Sequence, residues 1–141
     1  MINTFTNPPN KNMTSIYNAT PHQINFYAKA DVEFDVSQRK LIAAIGAEPI
    51  YTVAKGVAVN CKTANASAPT IENCPVSVVG AVQFVSYDPL PEGYDIYIVS
   101  NLYRSAVQAL GGDTSKLATV TDTVYSAGDV KPCGCLALAV G

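Results

Sequence analysis

One stretch declares its local structure more sharply than any other: PLPEGYDIYIVSNLYRSAVQALGG, residues 89–112. Pro89, Pro91 and Gly93 interrupt whatever precedes them. Residues 94–99 are aromatic and β-branched, a composition that suits a pleated and mostly buried strand. Ser100 can accept a backbone N–H as a helix N-cap, and Asn101 offers the same chemistry one residue later. Leu102, Ala106, Ala109 and Leu110 then recur at helical spacing, and Gly111 supplies a stop. A chain holding this unit must place one short helix, about 101–110, directly behind a strand.

The rest of the sequence adds strands and turns. Residues 16–20 read as a short strand, a turn follows at Pro21 and His22, and residues 23–28 continue extended. Over 31–36 the pattern alternates, with Val32, Phe34 and Val36 on one face and Asp31, Glu33 and Asp35 on the other; this is a half-exposed antiparallel strand. Residues 37–45 fit a helical turn or a further strand equally well. Residues 49–61 read as a strand with a bulge at Gly56, 62–74 as a loop, and 75–87 as a long strand interrupted at Gly80. Further strands are expected near 119–124 and over 133–140. The fold class that follows is α+β and mostly β: an antiparallel sheet or small barrel of about six to eight strands with one short helix. Residues 1–15 are polar and proline-bearing, and read as an extended N-terminal arm. Residues 16–141 form a single β-rich domain at a length that can bury a real core.

Charge bounds what such a domain can do. Only 14% of its residues are charged, against roughly 25% in an ordinary soluble domain. A surface so poor in charge is expected to be partly covered in an assembly. The arm's Ile2, Phe5, Pro8 and Pro9 are the candidate contacts to neighbours, since burying them would offset the entropy of ordering the arm. Nine basic residues are scattered and the net charge is −2, which argues against direct contact with nucleic acid. No apolar run approaches the roughly 18 residues of a membrane span, and the first residues lack the basic-then-apolar order of a signal peptide.

Candidate sites are few. His22 is the only histidine; without a nucleophile and an orienting acid it reads as part of a turn whose side chains satisfy backbone groups. Asp31, Glu33 and Asp35 lie about 7 Å apart along an extended strand, too far to share one cation, and read as a solvated face. Cys61, Cys74, Cys133 and Cys135 are expected as free thiols; Cys61 with Cys74 would be the pair if a disulfide formed. Their spacing does not match the usual zinc knuckles, so no metal is expected. No glycine-rich phosphate loop occurs. Tyr94, Tyr97 and Arg104 are the candidate ligand contacts. The two tyrosines are three apart on a strand and therefore expected to face opposite sides. Arg104, in the first helical turn against the dipole, is expected to pair with an acid such as Asp95 or with an anionic ligand. No catalytic residue, enzymatic activity or cofactor is indicated.

Two motifs carry a family resemblance. The run NATPH at 18–22, followed by Ile24, and the run YIVS at 97–100, followed by Leu102 and Ala106, resemble small proteins of tailed phages and prophages. These open with N-x-T-P-H and carry a Y-I-V-S strand-to-helix segment. The motifs cover about a fifth of the chain, in matching order and separation. The arm before Asn18 and the segment between Cys61 and Cys74 depart from the pattern. The resemblance implies a viral source and no catalytic residues. Taken with the low charge, it gives the expectation of a phage structural or assembly protein, such as a capsid decoration or minor virion component. Such a protein would be a homo-oligomer or bind other virion proteins, in the virion or the host cytoplasm. The alternative is a phage protein that sequesters a host nucleotide signal in a pocket lined by Tyr and Arg.

Overall fold

The computed structural model describes residues 14–141, and within them one α-helix, one short 3-10 turn (Lys29–Asp31) and ten strands. In chain order these are β1 (Ile16–Asn18), β2 (Ile24–Phe26), β3 (Val32–Asp35), β4 (Lys40–Ala43), β5 (Tyr51–Val53), β6 (Cys61–Asn65), β7 (Val82–Tyr87), β8 (Ile96–Ile98), α1 (Asn101–Ala109), β9 (Leu117–Tyr125) and β10 (Pro132–Val140). The mostly β reading with one helix holds, and the sheet is barrel-like.

Eight strands form one sheet. Its main path runs β1-β8-β9-β10-β2-β5; β4 joins the far end of β9, and β3 pairs with β4. The longest ladder is the antiparallel β9–β10 pair. Four short pairings are parallel: β1 with β8, β8 with β9, β4 with β9 and β2 with β10. The β8–β9 pairing is the crossover through α1; the other three join strands distant in sequence, which local pattern cannot reveal. The sheet nearly closes on itself through the chain that follows β5: the Gly56 N–H donates to the Asn18 carbonyl (2.8 Å), and the Val59 N–H to the Ala19 carbonyl (3.0 Å). Residues 54–60 therefore do not continue β5 as the sequence suggested, but turn to seal the seam. At Gly56 they cross the Tyr17 ring so closely that a side chain would collide with it, and the Tyr17 hydroxyl accepts from the Val57 N–H at 2.6 Å.

The organising unit is realised residue by residue. Ser100 caps α1, its hydroxyl oxygen accepting from the Tyr103 N–H at 3.1 Å. Gly111 stops the helix at φ +82°, a region that favours glycine. The buried stripe of α1 is Tyr103, Ala106 and Val107, rather than the Leu102, Ala109 and Leu110 of the sequence reading, which are exposed. Tyr103 and Val107 pack with Ala19, Tyr97, Val99 and Leu117. Alternation turns Ile98 away from Tyr97 and Val99, yet it too is fully buried. Strand β8 is thus covered on both faces, as its continuous apolar sequence requires.

A second, two-stranded sheet joins β6 to β7 in antiparallel register. The sequence reading made β6 part of a loop, because KTAN is small and polar. Pairing with β7 supplies the strand instead. Gly80, with Ala66 directly behind it, leaves no room for a side chain where the ribbon begins, and strand structure in the 75–87 segment starts only beyond it, at Val82. The ribbon rests on α1 through Tyr87, whose ring meets Tyr103 edge-on at 5.8 Å. The Tyr103 hydroxyl also donates to the Asp88 carbonyl at 2.5 Å.

Candidate functional site

The NATPH run folds into a hydrogen-bonded corner between β1 and β2. Asn18 is buried with all its amide valences in use: its nitrogen donates to the His22 carbonyl (2.7 Å) and the Val53 carbonyl (3.2 Å), and its oxygen accepts from the Thr20 N–H (3.0 Å) and hydroxyl (2.6 Å). The Thr20 hydroxyl lies 3.0 Å from the His22 carbonyl. What His22 contributes to this corner is its backbone oxygen, so the motif reads as a turn-forming device, while the imidazole stays exposed.

Tyr94 and Tyr97 are brought together rather than apart. Tyr94 precedes β8 in the turn after Pro91, outside the alternation that would have placed it opposite Tyr97. Their rings meet edge-on at 5.8 Å, and Tyr17 lies 4.9 Å from Tyr94 and 6.2 Å from Tyr97. The Tyr97 hydroxyl donates to the Pro91 carbonyl at 2.5 Å, so this cluster packs β1 against the turn before β8. Arg104 is engaged elsewhere: its guanidinium donates to the Gly141 carbonyl and to Gln108 Oε1 (3.3 Å). Asp95, its expected partner, instead accepts from the backbone and hydroxyl of Ser15. Ser15 is thereby clasped to the start of β8. Of the arm contacts, Ile2, Phe5, Pro8 and Pro9 lie outside the described residues.

Of the acidic comb, Glu33 and Asp35 sit on β3 at the edge of the sheet, while Asp31 closes the 3-10 turn (Lys29–Asp31) just before it rather than extending the strand. Asp35 closes the β3–β4 hairpin, its carboxylate accepting from the Ser37 N–H and hydroxyl and from the Gln38 N–H. These bonds hold its carboxyl below the ordinary aspartate range, the Ser37 hydroxyl contributing most. Of the apolar residues that alternate with the acids, Val32 is half-buried and the other two are not covered. Phe34 is 58% exposed and Val36 78%, and Ile45, just beyond β4, is 93% exposed. With Ile42 and the three carboxylate residues, Phe34 and Ile45 line an open hollow of about 520 Å³. The reason is positional: β3 pairs only with β4, and no element of the described chain lies over it. A further bare apolar run, Val76, Val79, Val82 and Val85, follows the ribbon.

All four cysteines are free. Cys135 is fully buried, and burial pushes its thiol up to about 11; burial likewise carries the Tyr103 hydroxyl up to about 12. Both are protonated near neutral pH and act as packing groups rather than nucleophiles. Among the described residues, no three of His, Cys, Asp and Glu gather as a metal-binding set, and no helix is long and apolar enough to cross a membrane.

Set against protein-family models, curated proteins and solved structures, the chain matches none of them.

Proposed function

We propose that the chain is a structural or assembly protein whose β3–β4 hairpin is covered by neighbouring copies of itself. One observation carries the reading: Phe34 and Ile45 stand bare around one hollow at the sheet edge, and Val36 is bare at the hairpin turn, in a chain with little charge to keep it apart from its neighbours. Burying a large apolar side chain is worth about 1.5–3 kcal/mol, so three of them on each partner supply a real driving force for association. The Asn18–His22 and Tyr97–Ser100 runs, which resemble small tailed-phage proteins, support a viral particle as the setting, as a capsid decoration or minor virion component. On this reading residues 1–13, with Ile2, Phe5, Pro8 and Pro9, add contacts to a neighbour.

Sedimentation equilibrium of the full chain tests it. Phe34→Glu combined with Ile45→Glu places charge on the bare edge without touching the core. The expected result is a defined oligomer for the wild type and a monomer for the double variant, with the same far-UV circular dichroism. Removal of residues 1–13, which spares the Ser15–Asp95 clasp, is expected to weaken the oligomer as well. A monomeric wild type at tens of micromolar, or a double variant that assembles as before, rejects the proposal.

A further inference from the structure

A different part of the surface has the features of a binding site. Beside the first turn of α1 lies a hollow of about 410 Å³, lined by Thr20, Pro21, His22, Ile24, Val99, Ser100, Asn101, Thr119 and Val120. A second hollow, of about 530 Å³, shares His22, Ile24 and Val120 with it and runs on to Lys131, Pro132 and Cys133. The three common residues make the two a single bent groove.

Polar groups converge at the α1 end. The N–H groups of Asn101 and Leu102 begin the nine-residue helix and have no intrahelical acceptor. The Ser100 oxygen is occupied as the cap, but its hydroxyl hydrogen is free to donate. Thr119 supplies an independent observation. It is only 9% exposed, and its hydroxyl has no partner among the described residues. No fully enclosed side-chain nitrogen or oxygen in the described chain lacks a partner, so the Thr119 oxygen must be reachable, and the hollow is where this residue meets the surface. A hydroxyl on a nine-tenths buried residue, with no protein partner among the described residues and its oxygen open at this hollow, can donate to an acceptor placed beside the positive helix end. The imidazole of His22 and the amide of Asn101 stand at the same opening.

The geometry points to an organic phosphate as the ligand. The donors in reach are the two backbone N–H groups, the Ser100 and Thr119 hydroxyls, the Asn101 amide and the His22 ring. They outnumber what the two oxygens of a carboxylate can use, and suit the three oxygens of a phosphate monoester at a helix N-terminus. Val99, Ile24 and Val120 give an apolar floor, and the second hollow gives room for the organic body, with Lys131 at its far rim. This site is distinct from the bare hairpin, and its occupancy does not depend on assembly.

Amide-resolved NMR titration of the full chain with phenyl phosphate, at constant ionic strength, tests the assignment. Saturable shifts are expected at Asn101, Leu102, Thr119 and Val120, together with the single imidazole signal. Inorganic phosphate is expected to move the same amides with at least tenfold weaker binding, and phenol to leave the helix amides still. Thr119→Val keeps the shape and removes the hydroxyl; it should weaken phenyl phosphate at least threefold, while Thr119→Ser restores it. Absence of saturable shifts at these amides overturns the proposal. So does equal binding by Thr119→Val with the fold intact, or a response confined to lysines.

Discussion

Strands β8 and β3 have much in common as sequences and almost nothing as structure. Both are short and both carry aromatic and β-branched residues, though β8 is continuously apolar and β3 alternates with acids. In β8 Tyr97 and Ile98 are buried, as is Val99 just beyond it: α1 lies over Tyr97 and Val99, and Ile98 is buried on the other side. In β3 the apolar residues Phe34 and, just beyond its end, Val36 are bare. The difference lies in what each strand is attached to. Strand β8 runs straight into a capped helix that folds back across it, whereas β3 returns through a tight turn to β4 and gains only an in-plane neighbour. A strand's own sequence states which side chains should be covered; its connections decide whether its own chain supplies the cover.

The largest expected effect breaks the covered side of this contrast. Tyr103→Ala removes a ring that is fully buried between β8 and the β6–β7 ribbon, and deletes its bond to the Asp88 carbonyl. A cavity of that kind costs about 3–5 kcal/mol. Urea unfolding followed by circular dichroism should show the midpoint falling accordingly. A loss below 1 kcal/mol would mean that α1 is not the lid that distinguishes β8 from β3.

A smaller loss is expected from the polar corner that holds β1 to β2 and β5. Asn18→Ala removes the side-chain partner of the Thr20 N–H and of the Val53 carbonyl, and leaves the His22 carbonyl with the Thr20 hydroxyl alone. Stranded buried groups cost about 1–3 kcal/mol each before water and relaxation recover part of it, so a net loss of about 2–3 kcal/mol is expected in the same urea experiment. His22→Ala, which keeps the backbone carbonyl that Asn18 uses, should lose less than 0.5 kcal/mol, roughly the scatter of surface substitutions. Equal losses for the two would show that the imidazole has a structural task in the corner.

Legibility in the sequence followed the same division. The β8–α1 unit could be read almost completely, because its cap, its stop and its apolar run are all local signals. The turn at Pro21 and His22 was legible for the same reason, although the strand before it ends at Asn18 and not at Thr20. What escaped depends on distant partners: β6 is a strand only because β7 pairs with it, and residues 54–60 leave the strand pattern because they seal the seam against β1. Tyr94 faces Tyr97 because the turn after Pro91 takes it out of the strand. The buried helix face was misread because Tyr103, not a leucine, points inward. The groove beside His22 draws Thr119 from β9, Ser100 and Asn101 from the start of α1 and Ile24 from β2, and no local spacing could announce that meeting; the adjacent Ser100 and Asn101 were its only trace.

The smallest expected effect lies on the bare side. Phe34→Ser removes a ring that is more than half exposed and whose backbone pairing with Leu41 is unaffected. Were β3 a covered strand, the change would cost several kcal/mol, as it does in cores. An uncovered position predicts a change within about 0.5 kcal/mol in a monomeric sample. The measurement must therefore be made at two protein concentrations. In dilute solution the unfolding midpoints of wild type and variant should coincide. At concentrations where the wild type associates, its midpoint should rise while that of Phe34→Ser stays where it was, because only the assembled form gives this side chain anything to pack against. A deficit that is the same at both concentrations would place the cover for Phe34 within the monomer, and the contrast between β3 and β8 would then be one of degree.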